Sequence, residues 1–249
     1  MTEGARKPRD LSGLEEVLED VAGFNFRSFR TFFDLVARPG QVFRAYALRE
    51  TETYTPALRL WLGLTVVLAL LSFFFGGQDD LIRQVIGNWP DAQRTAFLHS
   101  IDGRMDDFAQ IYANTFSLLQ PIIVGFSLGL TVFLIAALDR GLSWVARINL
   151  TFGVLATGSL LGLALFPILV RFPQLGLWSL IPIWMVYWLT LFRGAPEVLA
   201  SGTAGRIAKA TLISCVILVL LMIAGMITVG ISMNHAVTSL QAAAANAAP

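Results

Sequence analysis

The sequence predicts an all-α polytopic membrane protein with five transmembrane helices, on three observations. Apolar residues make up 55% of the chain and charged residues 14%, and the mean hydropathy is +0.66, which places the chain outside the soluble class. Five stretches approach or meet the roughly 20 apolar residues a helix needs to cross a hydrocarbon core about 30 Å thick, none with an interior charge. Basic residues crowd toward one end: nine of the eighteen (Arg6, Lys7, Arg9, Arg27, Arg30, Arg38, Arg44, Arg49, Arg59) precede the first long apolar run.

These features divide the chain into a polar N-terminal region over 1–56, a transmembrane domain over 57–233 and a short tail over 234–249. The spans are expected near 57–77, 115–138, 150–170, 177–192 and 211–233. The fourth is short and carries Pro182, but Trp178, Trp184, Tyr187 and Trp188 supply interfacial aromatic anchors. Between the first two spans, residues 78–114 predict a helical outer loop, with Leu81, Ile82, Val85, Phe97, Leu98 and Ile101 facing one another or the membrane surface. No apolar signal-peptide core lies near the N-terminus, so the first span is expected to be an uncleaved anchor.

Within the N-terminal region, residues 1–11 lack apolar periodicity and are expected to be disordered. SGLEEVLED follows with Ser12 and Glu15 in capping-box spacing and Leu14, Val17, Leu18 and Val21 as an apolar stripe, predicting a short acidic helix. The stretch FRSFRTFFDLVARPG (26–40) is strongly amphipathic. On a helical wheel Phe26, Phe29, Phe32, Phe33, Val36 and Ala37 share one arc and Arg27, Arg30, Asp34 and Arg38 another. Asn25 suits the N-cap, Arg30 and Asp34 are spaced to pair, and Pro39-Gly40 should end the helix. Phenylalanine on one side and arginine on the other suit an interface with anionic headgroups, Phe26, Phe29 and Phe33 entering the apolar layer and Arg27, Arg30 and Arg38 meeting phosphate. Packing of this helix on the ends of the spans explains the same pattern. A continuous apolar face is unlike the exposed stacking platform of a nucleic-acid arm.

Loop charge sets the orientation. With the N-terminus in the cytoplasm, fourteen basic residues fall on that side and four (Arg83, Arg94, Arg104, Arg171) on the other, which by the positive-inside rule predicts a cytoplasmic N-terminus and a periplasmic C-terminus. 

The lead-in to the first span, ARPGQVFRAYALRETETYTPALRLWLGL, carries Arg38-Pro39-Gly40, Tyr46, Tyr54, Pro56 and Arg59-Leu60. It resembles the corresponding segment of a family of uncharacterised bacterial membrane proteins, in which a Pro-Gly element and a Tyr-x-x-Pro-like step lead into the first span. The resemblance implies a bacterial inner membrane. The whole layout is similar to the five-span Ypt-interacting (YIP) family, which implies membrane shaping, trafficking or scaffolding. The Cys-rich ribbon and the His motif often found in the bacterial family have no counterpart here; RINLTFG (147–153) stands at the latter position.

Chemistry-bearing motifs are sparse. Cys215, the only cysteine, excludes an intrachain disulfide. His99 and His235 form no metal-ligand pattern, DGRMDD lacks alternating calcium ligands, and no nucleophile elbow, Walker sequence or zincin motif occurs. Gly125-x-x-x-Gly129 and Gly158-x-x-x-Gly162 predict close helix approach. Pro121, Pro167 and Pro182 predict kinks, SGTAGRIAKA (201–210) a flexible connector, and Asp139-Arg140 an interfacial ion pair. Together these readings predict a non-catalytic membrane scaffold, assembly or membrane-organising protein without a cofactor. Its partners would be membrane lipids with anionic headgroups and a protein partner or second copy, with no nucleic acid. A small transporter or channel for a neutral or lipidic solute is the alternative, and an enzyme acting on lipid the third.

Overall fold

In the computed structural model every regular element among the described residues is a helix. The structure describes residues 26–48, 50, 53–75, 77–138, 141–172, 175–176, 178–194 and 202–247. The acidic helix expected over 12–20, the N-cap at Asn25 and the Asp139-Arg140 pair lie outside these residues. Among the described residues the order is α1 (Phe26–Ala37), α2 (Pro39–Leu48), α3 (Ala57–Phe75), α4 (Gln78–Gly87), α5 (Asp91–Ser100), α6 (Met105–Gly129), α7 (Thr131–Leu138), α8 (Trp144–Arg171), α9 (Leu180–Gly194) and α10 (Thr203–Ala247).

Four helical segments are long and apolar enough to cross a membrane: α3, the continuous pair α6–α7, α8 and α10. They correspond to four of the five expected spans. α9, at the position of the expected fourth span, has 15 residues, about 22 Å at a rise of about 1.5 Å per residue.

Local sequence explains most boundaries. Ser143 caps α8, its hydroxyl accepting from the Ala146 N–H at 3.3 Å. Gly77 ends the segment after α3 in the left-handed region, φ 80°, a backbone that a residue with a Cβ avoids. Pro39 does end the first amphipathic helix, but it also opens α2, where its missing N–H costs nothing at a first helical position. Pro182, the third residue of α9, lies in a first turn, where proline is tolerated, rather than in the helix interior; Pro121 and Pro167 are interior.

The C-terminal expectations need two corrections. Residues 203–210 are the opening turns of α10 rather than a connector, and the tail from 234 continues the same helix to Ala247. The sequence favours this, because QAAAANA is rich in the strongest helix former and Ala236 and Leu240 are buried against the distal helices.

The molecule has two cores. A proximal core, where α3 and α8 begin and α9 ends, joins Leu35 of α1, Phe43 and Tyr46 of α2, Leu60 and Trp61 of α3, Leu150 and Val154 of α8, Leu191 of α9 and Ile213 of α10. A distal core joins Ile82 and Ile86 of α4, Ile101 at the C-terminal end of α5, Phe108, Tyr112 and Phe116 of α6, and Ala236 and Leu240 of α10. Rings of Phe97, Phe108, Tyr112 and Phe116 run in series through it at centroid spacings of 5.0, 6.2 and 5.6 Å. Arg104 donates to the Leu240 carbonyl at 2.6 Å, tying α10 to the outer loop. Of the outer-loop residues predicted to be apolar contacts, Ile82 and Ile101 are buried, whereas Val85 is exposed.

Candidate functional site: an interfacial platform and a cleft between the helices

α1 and α2 form a platform across the proximal end. Its centre is Thr55, 1% exposed, whose three polar groups are all engaged. Its N–H donates to Thr31 Oγ1 at 2.9 Å, its carbonyl accepts from the Tyr46 hydroxyl at 2.9 Å, and its hydroxyl shares a hydrogen bond with Ser28 at 3.1 Å. Thr31 in turn donates to the Arg27 carbonyl at 2.7 Å. Buried polar groups satisfied this fully fix one geometry, since any slip strands a donor in an apolar surround. Tyr54 donates to Asp34 at 3.1 Å, and Asp34 pairs with Arg30 at 3.8 Å, as the i,i+4 spacing predicts. Burial pushes the Tyr46 phenol well above its ordinary range, helped by Tyr54. Burial and then the Asp34 hydrogen bond raise Tyr54. Both hydroxyls therefore remain protonated donors.

Two later segments lock the platform. Arg193, near the end of α9, donates to the Val36 and Ala37 carbonyls at 3.0 and 2.5 Å, capping α1. Asn149 of α8 accepts from the Ala57 N–H at 3.2 Å, capping α3. Thr31→Val, which keeps the shape and removes the acceptor, leaves the Thr55 N–H buried without it. A loss of about 1–3 kcal/mol is expected in denaturant titration of the detergent-solubilised protein, whereas Ser28→Ala should cost less because it strands a hydroxyl, which can rotate to another partner, rather than a fixed backbone N–H.

The predicted two-sided helix is in fact three-sided. Ser28, Thr31 and Leu35 are buried against the bundle, with Phe32 partly buried. Phe29, Phe33 and Val36 project outward at 60%, 69% and 55% exposure. Arg30 and Arg38 are exposed and Arg27 is half-buried, on a third sector; Phe26 is the first residue of α1. Sequence periodicity merges the apolar sectors because it cannot tell a protein-facing phenylalanine from an outward one.

What a Cβ at the paired glycines would meet is side chain or open space. A Cβ on Gly125 would stand 2.7 Å from Trp61 Cη2, and one on Gly158 would run into the Tyr187 ring. Gly129 has nothing within 4 Å of its Cβ position, and Gly162 only Leu68 at 3.9 Å. The first glycine of each pair seats an aromatic ring from another helix; the second does not.

Those rings border a cleft of about 500 Å³ between α3, α6, α8, α9 and α10. Trp61 and Tyr187 close its proximal end as members of the packed core. Gln78, Gly176 and Ser179 lie at its distal rim. Its wall is mainly apolar, and among the described residues no Asp, Glu, Lys, Arg or His lines it. The polar lining is Thr65, Ser72, Ser117, Gln120, Ser159 and the Tyr187 hydroxyl besides the rim. Sequence reading took Gln120-Pro121 for a kink and Tyr187 for an interfacial anchor. Five isolated hydroxyl or amide side chains inside apolar spans were the signal for this cleft. No group of three or more His, Cys, Asp or Glu gathers among the described residues. No family model matches the chain, and neither a curated protein nor a solved structure matches it.

Proposed function

We propose that this is a non-catalytic membrane-organising protein of a bacterial inner membrane. It crosses the bilayer five times and rests α1 on the cytoplasmic leaflet, where anionic headgroups meet Arg27, Arg30 and Arg38. The observation that carries the reading is the division of α1 into three sectors: one bonded into the bundle, one exposing Phe29, Phe33 and Val36, and one basic. A helix held in place by buried hydrogen bonds while it turns phenylalanines outward suits an amphipathic element seated at the headgroup boundary.

The fifth crossing is supported by the course of α9. Ser179, just before it, lies at the distal rim of the cleft with Gln78, and a Cβ on Gly194 at its end would meet the Phe43 ring of the platform. The helix thus joins the two ends. Its shortfall against a core of about 30 Å is met by interfacial aromatics, Arg193 at the boundary and modest local thinning. A channel is the weaker reading, because the cleft ends on Trp61 and Tyr187 inside the proximal core.

The test is thiol labelling in cells with Cys215→Ser as background. A cysteine at Arg30 should react with an aqueous maleimide only after the inner membrane is permeabilised, one at Phe33 should stay shielded, and one at Asn246 should react before permeabilisation. Equal reactivity at Arg30 and Phe33 would remove the interfacial placement. Reactivity of Asn246 only after permeabilisation would give an even number of crossings.

A further inference from the structure

The geometry points to the cleft as a binding site for an uncharged lipid: an apolar chain bearing a hydrogen-bond-accepting oxygen, such as an ester or quinone carbonyl. Three observations carry this. The first is position. The cleft is lined by α3, α6, α8, α9 and α10 between the two cores, and its roughly 500 Å³ falls in the range of about 300–1,000 Å³ typical of ligand sites. An apolar wall at that depth is complementary to a hydrocarbon tail.

The second observation is unspent hydrogen-bonding capacity. Tyr187 is 4% exposed, its hydroxyl stands beside Gly158 at the proximal end of the cleft, and among the described residues it has no hydrogen-bond partner. Gln120 and Ser159 of the lining likewise make no side-chain hydrogen bond among the described residues, whereas Thr65, also in the lining, donates back to the Trp61 carbonyl at 2.9 Å. Pro121 adds an acceptor, since without an N–H it leaves the Ser117 carbonyl lacking its helical donor, and Ser117 lines the same cleft. Between spanning helices an unpaired hydroxyl or amide is costly, so these groups call for a ligand with oxygen functions rather than a bare alkane.

The third is charge. With no Asp, Glu, Lys, Arg or His in the lining among the described residues, a phosphate or carboxylate carried into the cleft would be desolvated without a counter-ion. The occupant is therefore neutral in the part that enters, and Tyr187 and Gln120 donate to its carbonyl oxygen.

The full chain in neutral detergent micelles should be photolabelled with two probes in parallel: a diacylglycerol carrying a diazirine on one acyl chain, and an azido-quinone with a ten-carbon tail. Labelled peptides are then mapped. The expected result is saturable labelling by at least one probe in α3, α6, α8 or α9, displaced by its unlabelled parent; the probe that succeeds identifies the carbonyl source. Tyr187→Phe keeps the ring that fills the core and should reduce this labelling about fivefold or more. Gly162→Leu, at a position with room for a side chain, should abolish it by filling the cleft, and size-exclusion profiles establish that both variants remain folded. Labelling by both probes that is non-saturable and spread over outward-facing residues such as Phe126 would overturn the site. Labelling of the cleft by a diazirine phosphatidylglycerol, run as a third and charged probe, where neither neutral probe labels it would overturn the neutral ligand. Labelling indifferent to Tyr187→Phe and Gly162→Leu alike would overturn the role of these residues and the site with them.

Discussion

Phe43→Ala is expected to destabilise the detergent-solubilised protein by about 3–5 kcal/mol, the range for removing a buried aromatic ring. Phe43 is fully buried and belongs to the proximal core with Tyr46, Leu191 and Ala210, which brings together α2, α9 and α10. Its ring also lies where a Cβ on Gly194 would be, so the cavity left by alanine opens at the junction of three helices and has little room to collapse. Equilibrium unfolding in mixed micelles would read the loss, and limited proteolysis should show earlier cleavage after α2. Phe33→Ala is the matched control: at 69% exposure the same deletion should cost under about 0.5 kcal/mol in detergent. Comparable losses at the two positions would mean that α2 is not held by Phe43.

The second large effect is expected at Gly158. Isoleucine there must displace the Tyr187 ring, which is 4% exposed and anchored in the proximal core. Overpacking of this kind costs about 1–3 kcal/mol and more where the neighbour cannot move. Gly129→Ile, the residue of the other pair with open space around its Cβ position, should leave the unfolding midpoint nearly unchanged. If both substitutions fall equally, the glycines act as a shared interface between copies of the chain rather than as seats for Tyr187 and Trp61.

The helical class and the approximate positions of α3, α6–α7, α8 and α10 were legible because membrane spans write themselves as long apolar runs, a one-dimensional signal. The Arg30–Asp34 pair was legible for a similar reason, being local. What escaped was decided by distant partners. Nothing near Thr55 announces that Thr31, Tyr46 and Ser28 will all converge on it, and nothing near Gly158 indicates a tyrosine arriving from α9. The apolar run ends at 233, so the sequence sets 234–249 apart as a short tail, yet two of its residues, Ala236 and Leu240, complete the distal core. The cleft escaped for a related reason: single serines and glutamines in apolar helices look incidental until the fold lines them up.

The lock on α1 also has a consequence in time. The guanidinium that caps it belongs to a residue 156 positions later in the chain than Ala37. At a synthesis rate of about 5–20 residues per second, α1 exists for about 8–30 s before Arg193 is made. On the proposed interfacial placement of α1, the bilayer surface would cover the outward phenylalanines during that interval. The first amphipathic helix would then stay a provisional element until α9 arrives to cap it, with only α10 still to come.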